Sequence, residues 1–453
     1  MPAKPKNAEV PTVGFVELFK MMPEFRRDAI ETFANIAERF GGIVRFRGLW
    51  TSYLLTDPSH IEHVLQTNSR NYNKGRVYKE LTPSTGEGLF VTDGEVWRRQ
   101  RRLAQPAFHR DRIASFAQIM TDTTEQMLQR WEKYLDDGNN FDVGDEMTEV
   151  TLGIVSKALL SRDLSGEADV VNRSFGVIRE HTMRRLTSFL KLPQNFPSRA
   201  NRRFRNAIAQ ADEILYKIIA ERRAEREDPQ DLLSMLMSAR DDETGETMSD
   251  KELRDQALTI IGAGYETTTQ ALTWLWYLLA KHPHVEKRLH AELERVLGGR
   301  TPTFEDVPKL RYTLMAFQEA MRLYPPAWML SRTAVDADEI GGHRISAKSE
   351  ILLLLYVTHR DPKHWSDPAA FDPEHFSLEQ TAGRARFAYF PFGGGPRQCI
   401  GNNFAQMEAQ LIIATVAQKY RLRLTTEGEI KPEPAVTLRP RGGVKVILEK
   451  RNV

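Results

Sequence analysis

The sequence predicts a mainly α-helical protein with small β-sheets, an α+β fold. Three observations carry that reading. From Glu95 to about Arg240 the apolar residues recur mostly at helical spacing. A helix of unusual length follows, from Asp250 to about Lys281. Strand-like alternation is confined to short stretches. With 41% hydrophobic and 27% charged residues the composition is that of an ordinary globular chain, and no internal repeat or low-complexity tract interrupts it.

The elements follow in order. The opening MPAKPKNAEVPTVG is polar and proline-bearing and lacks the apolar stretch of a signal peptide. Residues 1–15 therefore read as a flexible tail on a single domain spanning 1–453. IVRFRG (Ile43–Gly48) and SYLLT (Ser52–Thr56) alternate around a short turn, which predicts a hairpin. Asp57-Pro58 opens a helix from Ser59 to about Asn68, and Gly75 to Asp93 reads as a long loop. The helices up to Arg240 are broken near KLPQNFPSR (Lys191–Arg199). After the polar loop DDETGETMSD, Ser249 and Glu252 have the spacing of a capping box for the long helix, which His282-Pro283 ends. Another helix, Arg311 to Leu323, stops before Tyr324-Pro325-Pro326. A strand around Ile351–Leu355, a glycine-rich loop, a helix from about Gly401 to Lys419 and a strand at Val444–Leu448 complete the chain.

Charge and cysteine content exclude several classes of function. Lys+Arg 63 against Asp+Glu 61 leaves +2, too small a field to suggest nucleic acid or a membrane surface as partner. The single cysteine excludes a disulfide framework and fits a reducing compartment. No run of about 18 apolar residues exists, so no spanning helix is expected. The expectation is a monomer in the cytoplasm.

Two stretches break these rules. In the long helix Leu253, Ala257, Ile260, Ile261, Gly264, Thr268, Ala271, Leu275 and Leu278 form a buried stripe, yet AGYETT (Ala263–Thr268) interrupts it. Gly262 and Gly264 each cost about 1 kcal/mol relative to alanine in a helix interior. The stretch reads either as a packing notch with an exposed Glu266 or as a small-residue kink that opens the helix beside a ligand. The second stretch is FGGGPRQCIG (Phe392–Gly401), where the only cysteine, Cys399, sits among glycines on a loop. A thiolate held out in this way suits a soft metal or an electrophile.

FGGGPRQCIG matches the pattern Phe-x-x-Gly-x-Arg-x-Cys-x-Gly of the cytochrome P-450 haem-thiolate enzymes. Five fixed positions match by chance roughly once in ten thousand such chains. AGYETT resembles that family's central-helix signature, Glu319-Ala-Met-Arg322 its Glu-x-x-Arg motif, and Trp97-x-x-x-Arg101 the helix that binds a haem propionate. All four occur in the family's order, so the resemblance spans roughly residues 40 to 450.

The resemblance implies the P-450 fold, with haem b between the long central helix and the cysteine-loop helix. It makes Cys399 the iron ligand, with Phe392 and Gly393 shaping the cysteine loop, and it assigns Trp97, Arg101, Arg332 and Arg397 to the propionates. Glu266 and Thr267 would manage protons during O2 activation. Glu319 and Arg322 would form a structural network, completed in the family by an arginine where FDPEHF here has His375. Histidine offers fewer donors, so a weaker network is expected. By position, Phe90, Ala263, Ala327 and Thr437 are expected pocket walls. The implied reaction inserts one oxygen atom into a C–H bond of a hydrophobic small molecule; fatty acids, terpenoids and steroids all fit, with a slight lean to a long flexible chain. Electrons would come from NAD(P)H through a separate ferredoxin or flavodoxin and its reductase, docking on Arg98, Arg99, Arg101, Arg102, Arg110 and Arg112.

Overall fold

In the computed structural model the described residues are 9–48, 50–161, 168–187, 193–224, 230–425 and 427–451. The central helix, Asp250–Lys281, begins at the expected capping box, with Ser249 and Glu252 bonded reciprocally, and ends at His282. Only its interruption is exposed in mid-course; from Thr268 to Leu279 every residue is buried, so that segment is apolar-packed all round rather than on one stripe. It packs along the helix Val143–Leu160, and Trp274 stacks on Tyr324 with ring centroids 3.8 Å apart. That stacking fixes the end of the helix Arg311–Leu323 against the centre of the molecule.

The hairpin forms as Ile43–Arg47 paired antiparallel with Thr51–Leu55, and belongs to a six-stranded sheet. Its order is Thr12–Val13, Ile43–Arg47, Thr51–Leu55, Glu350–Leu353, Leu330–Ala334 and Tyr72–Lys74. The expected N-terminal tail is thus shorter than 1–15. Thr12 and Val13 pair in parallel with Arg45 and Phe46, and Val13 is fully buried, because an apolar residue there completes a sheet face. Residues 1–8 lie outside the described part. Tyr420–Leu424, Lys445–Lys450 and Phe141–Asp142 form a smaller antiparallel sheet, and two two-stranded ribbons complete the β structure.

The stretch Gly75–Asp93 is not a bare loop. It holds two short helices, Arg76–Lys79 and Thr82–Thr85, the second with proline in its first turn, where a missing N–H costs nothing. Of the predicted break near Lys191–Arg199, Lys191 and Leu192 lie outside the described residues; Pro193–Ser198 is irregular and precedes the helix Arg199–Ala224. The helix Asn402–Lys419 follows the cysteine loop and is buried along almost its whole length. Among the described residues no helix is long and apolar enough to cross a membrane.

Candidate active site

The cysteine loop closes on itself before presenting its thiol. The Cys399 N–H donates to the Phe392 carbonyl at 2.9 Å, and the Gly393 N–H to the Phe390 carbonyl at 2.8 Å. Gly393 to Gly395 divide the work expected of them as one group. A Cβ on Gly395, at φ 65°, would lie 1.9 Å from the Leu65 carbonyl oxygen, and one on Gly394 would lie 2.4 Å from the Phe387 ring. Those two glycines let protein pack on protein. Gly393, at φ 70°, is free of such a clash, with Leu330 at 3.6 Å as its nearest neighbour.

Cys399 is exposed, yet burial pushes its thiol up, while the Gly401 backbone N–H and the Arg101 charge work the other way. The two facts agree for a sulfur that lines an internal recess: reachable, yet surrounded by protein. Arg101 stands beside it, its Nη1 donating to the Gln398 carbonyl at 3.0 Å.

Further cations gather here. Arg397 pairs with Asp93 at 3.0 Å, donates to the Ser69 carbonyl at 3.2 Å, and places its guanidinium carbon 5.1 Å from the Trp97 ring centroid. Arg332 is buried on the strand Leu330–Ala334, and the strand register sets it directly opposite Lys74. Like charges opposite one another on a sheet face repel. Burial above all, helped by Arg332, Arg397 and Arg101 and opposed by Asp93, brings the Lys74 ammonium down to about 7. The Arg397 Nε is buried without a hydrogen-bond partner. Among the described residues Asp93 is the one carboxylate bonded to this cluster.

Concentrated buried cations with so little counter-charge fit a dianionic ligand, and the accessible thiol fits a soft metal. Haem, with iron and two propionates, meets both demands. Sequence reading missed Lys74. The only local signal is its place in YNK, a short alternating stretch, and its partner Arg332 lies far along the chain.

The central helix touches the cysteine-loop helix, with Thr268 beside Glu408. Within the central helix Ala263 is exposed and Gly262, Gly264, Glu266 and Thr267 are half-buried, although their neighbours on either side are mostly buried. Of the two readings of AGYETT, the kink is absent: the helix is α-helical throughout Asp250–Lys281. The threonines do not disrupt it because their hydroxyls bond inside it, Thr267 to the Ala263 carbonyl at 2.8 Å and Thr268 to the Gly264 carbonyl at 3.0 Å. Gly264 serves packing, since a Cβ there would lie 2.9 Å from Val155 Cγ2.

Glu266 accepts a hydrogen bond from the Thr437 hydroxyl at 2.9 Å. The turn carrying Thr437 is sewn to the chain around Ala327. The Leu438 N–H donates to the Pro326 carbonyl at 2.9 Å and the Trp328 indole to the Ala435 carbonyl at 3.0 Å. Ala263, Glu266, Ala327 and Thr437 are thereby brought to one region. Phe90 has no such tie; it is exposed and its ring meets the Tyr78 edge at 5.2 Å.

Glu319, Arg322 and His375 come together as a buried network. Arg322 donates twice to Glu319, each at 2.7 Å, and to the carbonyls of His359, Pro368 and Ala370. Burial opposes the Glu319 charge, but the bonds from Arg322 and His375 hold its carboxyl below the usual range. His375 faces Glu319 Oε1 at 3.0 Å and the Ser366 carbonyl at 2.6 Å. Arg384 lies 3.8 Å over the Trp365 ring and donates to the His375 carbonyl at 2.7 Å. The expected shortage of donors is not present.

The sequence model of the family described as Cytochrome P450 matches residues 10–448. The chain is 40% identical to cyclooctatin synthase of Streptomyces melanosporofaciens, covering 91% of this chain and 89% of that protein. It is 36% identical to cyclooctat-9-en-7-ol 5-monooxygenase of the same organism, covering 88% and 84%. Pentalenene oxygenase of Streptomyces avermitilis is 32% identical, with 90% of each chain covered. With its cysteine loop, cation cluster and central helix in place, this chain belongs to the cytochrome P450 family and is a monooxygenase.

Proposed function

We propose that this chain inserts one oxygen atom of O2 into a C–H bond of an alicyclic terpenoid, with electrons from NAD(P)H delivered by a separate ferredoxin or flavodoxin and its reductase. The observation that carries the reading is the accessible Cys399 thiol beside Arg101, within a cation cluster that has one carboxylate among its bonded partners. Cys399 would hold the iron, and Trp97, Arg101, Arg332, Arg397 and Lys74 the propionates. When bound, haem supplies an iron whose thiolate donor favours O–O cleavage.

The chain's own groups would supply protons. Thr267, leaving its bond to the Ala263 carbonyl, would hold a water on the helix face where Ala263 is exposed. Glu266 would relay a proton from the side where Thr437 now holds its carboxylate. A substrate would rest against Ala263, Ala327 and Thr437. The names of the relatives, which describe cyclooctatin, a cyclooctatenol and pentalenene, favour a ring skeleton over the long flexible chain first preferred. The test is a screen by the iron spin-state shift. Alicyclic alkenes and alkenols should shift the reconstituted protein at lower concentration than fatty acids of equal carbon number. The opposite order would remove the terpenoid assignment, and a reduced carbonyl spectrum like that of a globin would remove the thiolate.

A further inference from the structure

The helices Ala168–Thr187 and Arg199–Ala224 pack against each other and border a groove of about 350 Å³. Glu180, His181 and Arg184 line it from the first helix, and Arg199, Ala200 and Arg203 from the second. Among the described residues of the lining, three guanidiniums meet one carboxylate, Glu180, which pairs with Arg184 at 2.8 Å. The side chains of Arg199 and Arg203 make no hydrogen bond or ion pair among the described residues.

Two further observations point to a ligand. The groove touches the start of a helix of 26 residues, whose N-terminus carries partial positive charge. Ser198 satisfies the next N–H groups there, taking Asn201 on its hydroxyl at 3.1 Å and Arg202 on its carbonyl at 3.0 Å. The N–H groups of Arg199 and Ala200, both on the groove, have no acceptor among the described residues. Independently, His181 is 6% exposed and both of its ring nitrogens are buried without partners. Its ring is fixed by stacking on Phe204, with centroids 4.1 Å apart. A solvated basic face explains exposed arginines, but not a buried imidazole whose donor is unmet.

We infer that this groove binds a phosphate group. A carboxylate has two oxygens, whereas this site offers three guanidiniums, two backbone N–H groups and an imidazole. A tetrahedral phosphate uses that many donors from several directions. Val177 supplies an apolar wall for the carbon of an ester. Occupancy would also brace a helix tied to the segment that carries Phe90, through Thr182 to Ser84 at 2.6 Å and Arg185 to Glu80 at 3.3 Å. The phosphate comes either on a soluble ester or on an anionic lipid headgroup.

Calorimetric titration of the haem-loaded protein with inorganic pyrophosphate, at fixed ionic strength, tests the site. One saturable site per chain is expected. The double variant Arg199→Gln/Arg203→Gln should weaken binding at least ten-fold, while Arg202→Gln, exposed on the same helix but off the groove, stays within two-fold. His181→Asn, which keeps an N–H donor on its amide, should weaken binding less than the double variant. Co-sedimentation with phosphatidic acid vesicles that is lost in the double variant assigns the lipid source. Pyrophosphate binding without vesicle binding assigns a soluble ester. No saturable binding, or equal weakening by Arg202→Gln, overturns the inference.

Discussion

Thr268 gives its hydroxyl proton to the Gly264 carbonyl, and the Glu408 carboxyl of the cysteine-loop helix lies beside that hydroxyl. Burial raises that carboxyl to about 8 from an ordinary 4.5, with Thr268 opposing, and its Oε1 has no partner. Unfolded, Glu408 ionises near its ordinary value; folded, it keeps its proton. Between those limits the folded chain binds more protons than the unfolded one, so stability falls as pH rises through the window and levels off above it. Glu408→Gln removes this loss. The variant's advantage in melting temperature over the parent should grow from pH 5 to pH 8, corresponding to at most about 4 kcal/mol. A constant gap in scanning calorimetry would mean that Glu408 is ionised in the fold. One residue before Thr268, Thr267→Ala should leave substrate binding within about two-fold while diverting reductant to peroxide. Unchanged peroxide yield per NAD(P)H would remove Thr267 from proton delivery. The AGYETT interruption was legible because glycines, an acid and threonines stand out in an apolar stripe. Lys74 and Glu408 were not, since each owes its role to a neighbour on another element.

The central helix was predicted almost to the residue because its stop and start signals are local: a capping box at one end and a proline at the other. The purpose of its glycines was not, because packing partners come from elsewhere in the chain. The pair makes a controlled experiment. A Cβ on Gly262 would meet nothing within 4 Å, so Gly262→Ala should stabilise the helix by about 1 kcal/mol. In Gly264→Ala the same gain is set against overpacking on Val155, worth about 1–3 kcal/mol, and melting temperature should fall. Equal shifts in thermal melts would show that Val155 yields freely. The Glu319 helix carries a similar lesson. His375 looked like a lost arginine in the sequence, but Trp365 already lies beneath Arg384 on one contact and Arg322 at 4.9 Å on another. A third guanidinium in His375→Arg would join two existing ones and displace the edge-on contact of His375 with Trp365, at 5.7 Å. The variant should melt no higher than the parent; a rise of several degrees would show that the network lacks a donor after all.

At the scale of the molecule, the same inward use of charge limits how an electron donor can be attracted. The arginine-rich stretch read from the sequence as a docking face is largely spent within the fold. Arg99 pairs with Glu246 and Glu252, Arg102 with Asp241 and Glu243, Arg98 with Glu95, and Arg101 turns toward Cys399. Arg110 and Arg112 remain exposed, on the short helix Arg110–Ala114. That helix packs against the cysteine-loop helix, with Phe116 and Phe404 rings 6.1 Å apart and Phe108 near Gly401. Two exposed charges on a chain of net +2 give weak long-range steering, and salt screens what there is. Reduction by an acidic ferredoxin should therefore slow only several-fold between about 0.05 and 0.3 M salt, far less than for a strongly steered pair. Charge reversal separates docking from folding. Arg110→Glu with Arg112→Glu should raise the KM for the donor several-fold with little change in kcat or melting temperature, because neither side chain has an ion pair to lose among the described residues. Arg102→Gln, which releases buried Asp241, should lower the melting temperature and leave that KM nearly unchanged. If instead the double reversal leaves the KM for the donor where it was, the donor approaches elsewhere, and the concave surface beside the cysteine loop lined by Gln318, Arg386, Tyr389, Gln398 and Gln406 is the next to be altered.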